Sequence, residues 1–139
     1  MIEIGNNLID ISDLEMSDDI NVINKSLATH PGKFGEISRI SVVIKCKKEE
    51  LELQLKRLKA EVDSKIRSNL SKKTTETNID NLISLEPAVK ELEDKLLNIR
   101  KDELMINTLK EAYQHRKDCL LDLARNLRAQ LYNLGPQSI

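Results

Sequence analysis

The sequence predicts an all-α protein in which two long antiparallel helices form a helical hairpin or coiled coil, with one or two short helices beside them. Hydrophobic residues make up 40% of the chain and charged residues 32%, whereas its 139 residues include four glycines and three prolines, a balance typical of long helices. Aromatic residues are 2% of the chain, so the core must be aliphatic. Apolar residues also recur every three to four positions over two long segments.

Residues 1–30 are predicted to form an acidic arm that contains one short helix. The first half of the arm has no sustained helical period, and Ser17, which two aspartates follow, is a suitable helix N-cap. The pair His30-Pro31 predicts a break after this helix. The arm has six acids against Lys25 alone, so it could attract the basic segment that follows, within a chain or between subunits, or mask it from an anionic partner.

The predicted hairpin occupies residues 31–139, and its first long helix covers residues 31–70. Apolar side chains recur there at steps of three, four or seven, which places them on one helix face. The last steps are closer to an eleven-residue repeat, so the supercoil should be weak there. The residues of this stripe are Ile37, Ile40, Ile44, Leu51, Leu55, Leu58, Val62 and Ile66.

Residues 71–84 are predicted to be a linker, because their first positions lack periodicity and carry side chains that bond to their own backbone. A short helix that carries Ile79 could begin within this linker, with Thr75 or Thr77 as its cap.

The second long helix is predicted over residues 85–132. Ser84 provides a capping hydroxyl, Pro87 suits the first turn, and Gly135-Pro136 marks the end. A phase slip near Glu103 divides its apolar stripe, which comprises Val89, Leu92, Leu96, Ile99, Ile106, Leu109, Tyr113, Leu120, Leu123, Leu127 and Leu131.

Self-association is expected, because two helices about 57 and 69 Å long cannot form a compact monomer. Four leucines beside the second stripe, Leu97, Leu104, Leu121 and Leu134, would stay exposed in a two-helix hairpin, and an apolar face of that width favours a homo-oligomer. The residues expected to form the oligomer seam are Ile44, Leu51, Leu55, Leu58, Val62, Arg116, Leu120 and Leu127.

Arg116 occupies a seam position where an apolar side chain is expected. A buried arginine needs a carboxylate, which Asp118, Asp122 or an acid on a partner helix could supply. Alternatively, its aliphatic stem packs in the seam and its charged head reaches solvent.

Catalysis is not expected, because the chain has no Gly-rich phosphate loop, no zinc-ligand spacing and no nucleophile in a recognisable motif. His115 and Cys119 lie four apart but lack a third soft ligand, so we predict no metal site and no cofactor. No apolar run approaches the roughly 20 residues that cross a bilayer, and the first residues do not form a secretory signal. These features predict a cytoplasmic protein without a membrane or small-molecule partner.

A basic stripe along the first long helix is the main candidate for binding. Such a stripe could follow a phosphate backbone, and without aromatic platforms the contact would be electrostatic and indifferent to base sequence. The alternative is a solvated helix face, which is supported by acid-base pairs four residues apart. These pairs are Glu52 with Lys56, Glu61 with Lys65 and Asp63 with Arg67. The candidate nucleic-acid-binding residues are Lys45, Lys48, Lys56, Lys59, Arg67, Lys72 and Lys73.

Short motifs over residues 30–131 resemble a group of small helical phage proteins. A Thr-Glu helix start at Thr75 is followed by a long helix, by Arg-Lys-Asp-Cys-Leu at 116–120 and by Leu-Arg-Ala-Gln at 127–130. The Leu-Lys-Ala-Glu-Val-Asp stretch at 58–63 is similar to a Leu-Lys-Ala-basic-apolar-Asp stretch of that group. On these motifs the chain resembles the phage recombination mediators of the T4 UvsY type.

The resemblance implies a non-enzymatic mediator that forms rings of subunits, binds single-stranded DNA and helps a RecA-like recombinase to displace single-strand-binding protein. Lys59 matches a lysine linked to DNA binding in that family, and Glu61 stands where the family has a second base. The location implied is the cytoplasm of a phage-infected or prophage-carrying bacterium. The alternative function is a structural or adaptor coiled coil, such as a scaffold or assembly chaperone, that binds no nucleic acid.

Overall fold

A computed structural model of the chain describes residues 1–69 and 75–134, and these residues are mostly helical. Three helices follow one another: α1 (Ile20–Asn69), α2 (Glu76–Leu85) and α3 (Pro87–Leu134). The all-α class is therefore confirmed in its main features. The start of the predicted linker with Lys72 and Lys73, and the predicted end at Gly135-Pro136, lie outside the described residues.

The first residues form a small β-hairpin, where the sequence analysis predicted an irregular arm. Strands β1 (Ile2–Ile4) and β2 (Asn7–Ile9) pair antiparallel around a two-residue turn. Gly5 has φ 60°, a conformation that glycine adopts at little cost and that a tight hairpin turn of this length requires. One face buries Ile4 and Ile9. A short 3₁₀ turn at Ser12–Leu14 then leads towards α1.

Helix α1 runs for 50 residues through Pro31, so the predicted break at His30-Pro31 is wrong. Proline inside a helix costs about 3 kcal/mol, because it lacks an N–H and its ring crowds the preceding turn. Ile23 and Ile37, on either side of it, are both 0% exposed, and burying each stabilises the fold by about 1.5–3 kcal/mol. Core packing on both sides therefore offsets the cost of the proline.

The start of α1 also differs from its predicted position. The Asp19 carboxylate accepts a hydrogen bond from the Asn21 N–H at 2.9 Å, and the Ser17 hydroxyl accepts one from the Asp19 N–H at 3.1 Å. Helix α1 begins at Ile20, so an aspartate carboxylate accepts the first-turn hydrogen bond that the sequence analysis assigned to Ser17.

Helix α2 begins as one of the two predicted alternatives. The Thr75 hydroxyl accepts a hydrogen bond from the Asn78 N–H at 3.3 Å, which caps the helix. Ser84 does not cap α3, because its hydroxyl donates to the Asp80 carbonyl within α2 at 3.0 Å. Glu86 is the extended residue that separates α2 from α3, and Pro87 takes the first position of α3.

The chain divides into two compact units. Unit 1 consists of Met1–Val42 with the chain from Leu104 onward, and unit 2 consists of Val43–Glu103. In unit 1, Ile23 of α1 packs with Leu120 and Ala124 of α3, and Ser41 donates to Asn107 at 3.3 Å, so these two segments run antiparallel.

Unit 2 has its own aliphatic core from all three helices. Its buried members are Leu55 and Val62 of α1, Ile79 and Ile83 of α2, and Val89 and Leu96 of α3. Half-buried neighbours, among them Leu51, Leu58 and Leu92, extend this core.

Candidate nucleic-acid interface

The predicted basic residues on α1 share one helix face in unit 2, and that face borders α3. The polar side chains of α3 reach it, as shown by Arg100, whose guanidinium lies 3.7 Å from the Glu52 carboxylate. The face is therefore the polar edge of the packing between two helices of the same unit. Whether a basic residue on this face is neutralised depends on the acidic side chains near it.

Three of the five described candidates are bound to carboxylates. Lys48 Nζ lies 2.9 Å from the Glu103 carboxylate, with both side chains only about a fifth exposed. The hydrogen bond to Glu103 raises the pKa of Lys48 above its usual value, so its charge is held in place. Lys59 Nζ lies 3.4 Å from Glu93, although both of these side chains are nearly half exposed.

Arg67 bridges two helices of unit 2. Its Nε donates to Asp63 at 2.9 Å and its Nη2 donates to Glu76 of α2 at 2.7 Å. These two hydrogen bonds, the one to Glu76 first, raise the pKa of Arg67, so the side chain stays fully charged but is neutralised locally.

Lys45 and Lys56 differ from the other three. Both are exposed, and neither forms an ion pair with any residue within 1–69 and 75–134. Lys47 and Arg57 are likewise exposed and unpaired within those ranges, although the sequence analysis did not include them because they lie off the stripe. Lys65 is also exposed and unpaired there, so five positive charges on α1 of unit 2 are available to an anionic partner.

Of the acid-base pairs expected along α1, the structure forms one. Asp63 contacts Arg67 as predicted. Glu52 turns to Arg100 of α3 instead of Lys56, because the arginine reaches over the helix packing. The solvated-face interpretation thus holds for part of the stripe only.

The predicted oligomer seam lies inside the single chain. Ile44, Leu55 and Val62 are less than a tenth exposed within unit 2, and Leu51 and Leu58 pack against the same core. Leu120 and Leu127 pack with Ile23 in unit 1. Ile44, Leu55, Val62 and Leu120 are therefore buried within the chain, whereas Leu51, Leu58 and Leu127 remain half-buried.

The leucines predicted to stay exposed do so where they are described. Leu97 is 53% exposed, Leu104 68% and Leu121 36%. The side chain of Leu134 lies outside the described part of the chain. Leu53 on α1, which the sequence analysis did not single out, is 47% exposed.

Arg116 is buried in unit 1 at 3% exposure, so its charged head does not reach solvent, and neither Asp118 nor Asp122 forms an ion pair with it. Its Nη1 donates to His30 Nδ1 at 3.3 Å, and its guanidinium lies over the Tyr113 ring at 5.7 Å. It forms no ion pair with a carboxylate of the described chain, and its Nε has no hydrogen-bond partner there. Aromatic and imidazole groups surround the charge in place of an acid.

Tyr113 ties the N-terminal segment to α3 within unit 1. Its ring is fully buried, and its hydroxyl donates to the Asp13 carboxylate and lies 3.3 Å from the Asp10 carbonyl. Burial, followed by the bond to Asp13, raises the pKa of Tyr113 above its usual value. Burial, followed by the Arg116 charge, lowers the pKa of His30. These contacts join the N-terminal segment, α1 and α3 within unit 1.

His115 and Cys119, the pair considered for a metal site, lie one helical turn apart on α3. Cys119 Sγ lies 3.7 Å from His115 Nε2 on the surface of α3. Within the described ranges, however, no three His, Cys, Asp or Glu side chains are grouped closely enough to hold a metal ion. No described helix combines the length and apolarity needed to cross a bilayer.

Comparisons of the chain with protein-family models, with curated proteins and with solved structures give no match. The described residues present a mostly helical protein of two compact units, with a partly neutralised basic face and several exposed leucines.

Proposed function

We propose that the protein is a non-enzymatic recombination mediator of a phage or prophage. In this role it forms a homo-oligomer in the host cytoplasm, binds single-stranded DNA and helps a RecA-like recombinase to load in place of single-strand-binding protein. The proposal is supported by the motif resemblance over residues 30–131. It requires a surface that can bind phosphates and a surface that can bind other subunits.

The observation that carries the proposal is the exposed, unneutralised charge on α1 in unit 2. Lys45, Lys47, Lys56 and Arg57 have no acid partner among the described residues. Each phosphate contact is weak in salt, but contacts repeated around an assembly act together and give strong binding. Lys48, Lys59 and Arg67 form ion pairs with acidic side chains. They should therefore contribute less to DNA binding than the unpaired bases do.

Self-association is supported by the exposed apolar side chains. Leu53 and Leu97 in unit 2 and Leu104 in unit 1 are each about half exposed or more. Large apolar side chains at this exposure favour contacts with further helices when they are numerous on one chain.

The test is the fluorescence anisotropy of labelled single-stranded DNA titrated with the protein in low salt. The double variant Lys45→Gln with Lys56→Gln should bind at least tenfold more weakly than the unmodified protein. A matched control, Lys90→Gln with Lys101→Gln, removes two exposed lysines of α3 and should bind nearly as the unmodified protein does. Absence of any anisotropy change with the unmodified protein in low salt would reject DNA binding.

A second candidate, a structural or adaptor coiled-coil protein, is favoured by the ion pairs. Since Lys48, Lys59 and Arg67 are bound to acids, much of the basic stripe serves the fold of unit 2. A protein partner recovered by pull-down and unaffected by nuclease, together with unchanged DNA anisotropy, would support this candidate over the first.

A further inference from the structure

The outer face of α1 in unit 2 carries a second, exposed apolar stripe. Cys46, Leu53 and Ala60 follow one another at intervals of seven residues and therefore lie on one side of the helix. All three are exposed, Leu53 by 47%, whereas the core residues Leu55 and Val62 face the opposite way. We call Cys46, Leu53 and Ala60 the outer stripe.

Charges flank the outer stripe in two blocks of opposite sign. Glu49 and Glu50 lie on the N-terminal side of Leu53, and Lys56 and Arg57 lie on its C-terminal side. All four are exposed, and none forms an ion pair with another side chain within residues 1–69 and 75–134. The blocks are three to four residues from Leu53 in each direction, so they are nearly symmetric about it.

From this pattern we infer that the outer stripe binds a second copy of the chain, with the two α1 helices antiparallel and related by a two-fold axis at Leu53. A two-fold contact brings the same patch of both subunits together, so the patch must complement itself. This one does: the axis pairs Leu53 with Leu53, Cys46 with Ala60, Glu49 with Arg57, Glu50 with Lys56, and Lys45 with Glu61.

The charge pattern also selects the antiparallel direction. In a parallel pair in register, Glu49 and Glu50 would face their own copies, and so would Lys56 and Arg57. Like charges held opposite one another destabilise a contact, whereas the antiparallel pair places each acid opposite a base. The small side chains of Cys46 and Ala60 allow the helices to approach closely on either side of Leu53.

The contact is small. The outer stripe extends over fourteen residue steps, or about 21 Å of helix. An interface of one helix face of this length is below the size of stable protein complexes, so the dimer should be weak and form reversibly. The inference rests on the self-association in the proposed function and names one of its surfaces. Because Lys45, Lys56 and Arg57 belong both to this contact and to the proposed DNA surface, DNA and the second copy compete for them.

Disulfide trapping tests the two-fold axis. In a background without thiols (Cys46→Ser with Cys119→Ser), Leu53→Cys should form a covalent dimer under mild oxidation, seen on a non-reducing gel. Disulfides require Cα atoms within about 7 Å, and for two copies of the same residue this geometry provides that distance only near the axis. The matched control is Gln54→Cys in the same background, which is also exposed but lies about 100° further round the helix and should dimerise at least fivefold less.

A second pair tests the direction. In Cys119→Ser protein, Ala60→Cys should give a dimer linked between positions 46 and 60, whereas the same protein with Ala60 unchanged should give little dimer. A strong dimer through Cys46 alone would indicate parallel helices and overturn the inference. Equal trapping at positions 53 and 54 would overturn it as well.

Failure of this inference and failure of the proposed function give different results. Light scattering and DNA anisotropy are measured on the same purified protein without oxidant. If the protein is oligomeric and binds DNA but Leu53→Cys is not trapped, the two-fold contact is rejected and the proposed function stands. If Leu53→Cys is trapped selectively and DNA does not bind, the contact is supported and the mediator function is rejected.

Discussion

Acid should destabilise unit 1 through His30, and the variant His30→Gln should remove this effect. Arg116 can only donate hydrogen bonds, so His30 Nδ1 must accept from it and must carry no proton. Burial opposes protonation of His30 most strongly, and the charges of Arg116 and Lys117 on α3 add to it. Asp13 in the 3₁₀ turn favours protonation, and the net effect is a lowered pKa of His30. The folded state therefore binds a proton less readily than the unfolded state.

The sign and size of the pH effect follow from that difference. The unfolded chain takes up the proton as the pH falls below about 6.5, the ordinary histidine value. Between this pH and the lower pKa of the folded state, the free energy of unfolding should fall by up to about 1.4 kcal/mol per pH unit. Above pH 7 the contribution of a neutral His30 is fully present.

The assay is urea unfolding followed by circular dichroism at several pH values between 5 and 7.5. The matched control is His115→Gln, which replaces an exposed histidine of α3 and keeps His30, so the destabilisation by acid through His30 should persist. His30→Gln keeps a hydrogen-bond acceptor for Arg116 but does not titrate, so its stability should depend less on pH. Equal pH dependence for His30→Gln and the unmodified protein would refute the reasoning.

Three further predictions concern the core, the N-terminal hairpin and the outer stripe. Leu55→Ala should lower the free energy of unfolding by about 2–5 kcal/mol, because it leaves a cavity in unit 2. The exposed control Leu53→Ala should change the free energy of unfolding by less than about 1 kcal/mol. Equal losses for the two variants in urea unfolding would contradict the burial pattern. Tyr113→Phe removes the hydroxyl that donates a hydrogen bond to Asp13, so the backbone amides of the β-hairpin should exchange hydrogen several-fold faster. Unchanged exchange would show that the hydrogen bond from Tyr113 to Asp13 does not hold the N-terminal segment in place. Since Lys56 flanks the outer stripe and belongs to the proposed DNA surface, saturating single-stranded DNA should lower disulfide trapping of Leu53→Cys at least twofold; trapping that DNA leaves unchanged would show that the two surfaces are independent.

Apolar periodicity was sufficient to predict the long helices. The stripes that include Leu55 and Leu96 are buried in unit 2, because spacing at three and four residues defines a helix face whatever packs on it. Periodicity does not say whether the partner is the same chain or another. Leu55 and Leu120 were therefore assigned to a seam between subunits, whereas both are buried within the chain.

Other features depend on contacts between residues distant in sequence. Local rules predict that a helix ends near Pro31. Helix α1 continues through it because Ile23 and Ile37 are buried on either side, and the local sequence does not show that burial. The β-hairpin had a local signal, alternating apolar residues on both sides of Gly5, and could have been predicted.

The candidate site depends on such distant contacts even more strongly. Lys48 and Glu103 are 55 positions apart, and nothing in the local sequence of either residue shows that they pair. Arg116 meets His30 across 86 positions. A basic residue therefore counts as available for binding only after its partners are known, which is why Lys45 and Lys56 now represent the proposed surface.

The central claim, that this is an oligomer that binds single-stranded DNA, is tested most directly by light scattering of the purified protein in low salt with and without a DNA oligonucleotide. A mass that is a multiple of the single-chain 15.9 kDa, and that rises by the mass of bound DNA when the oligonucleotide is added, is the predicted result. A mass of one chain in both samples, with the oligonucleotide eluting separately, would contradict the claim.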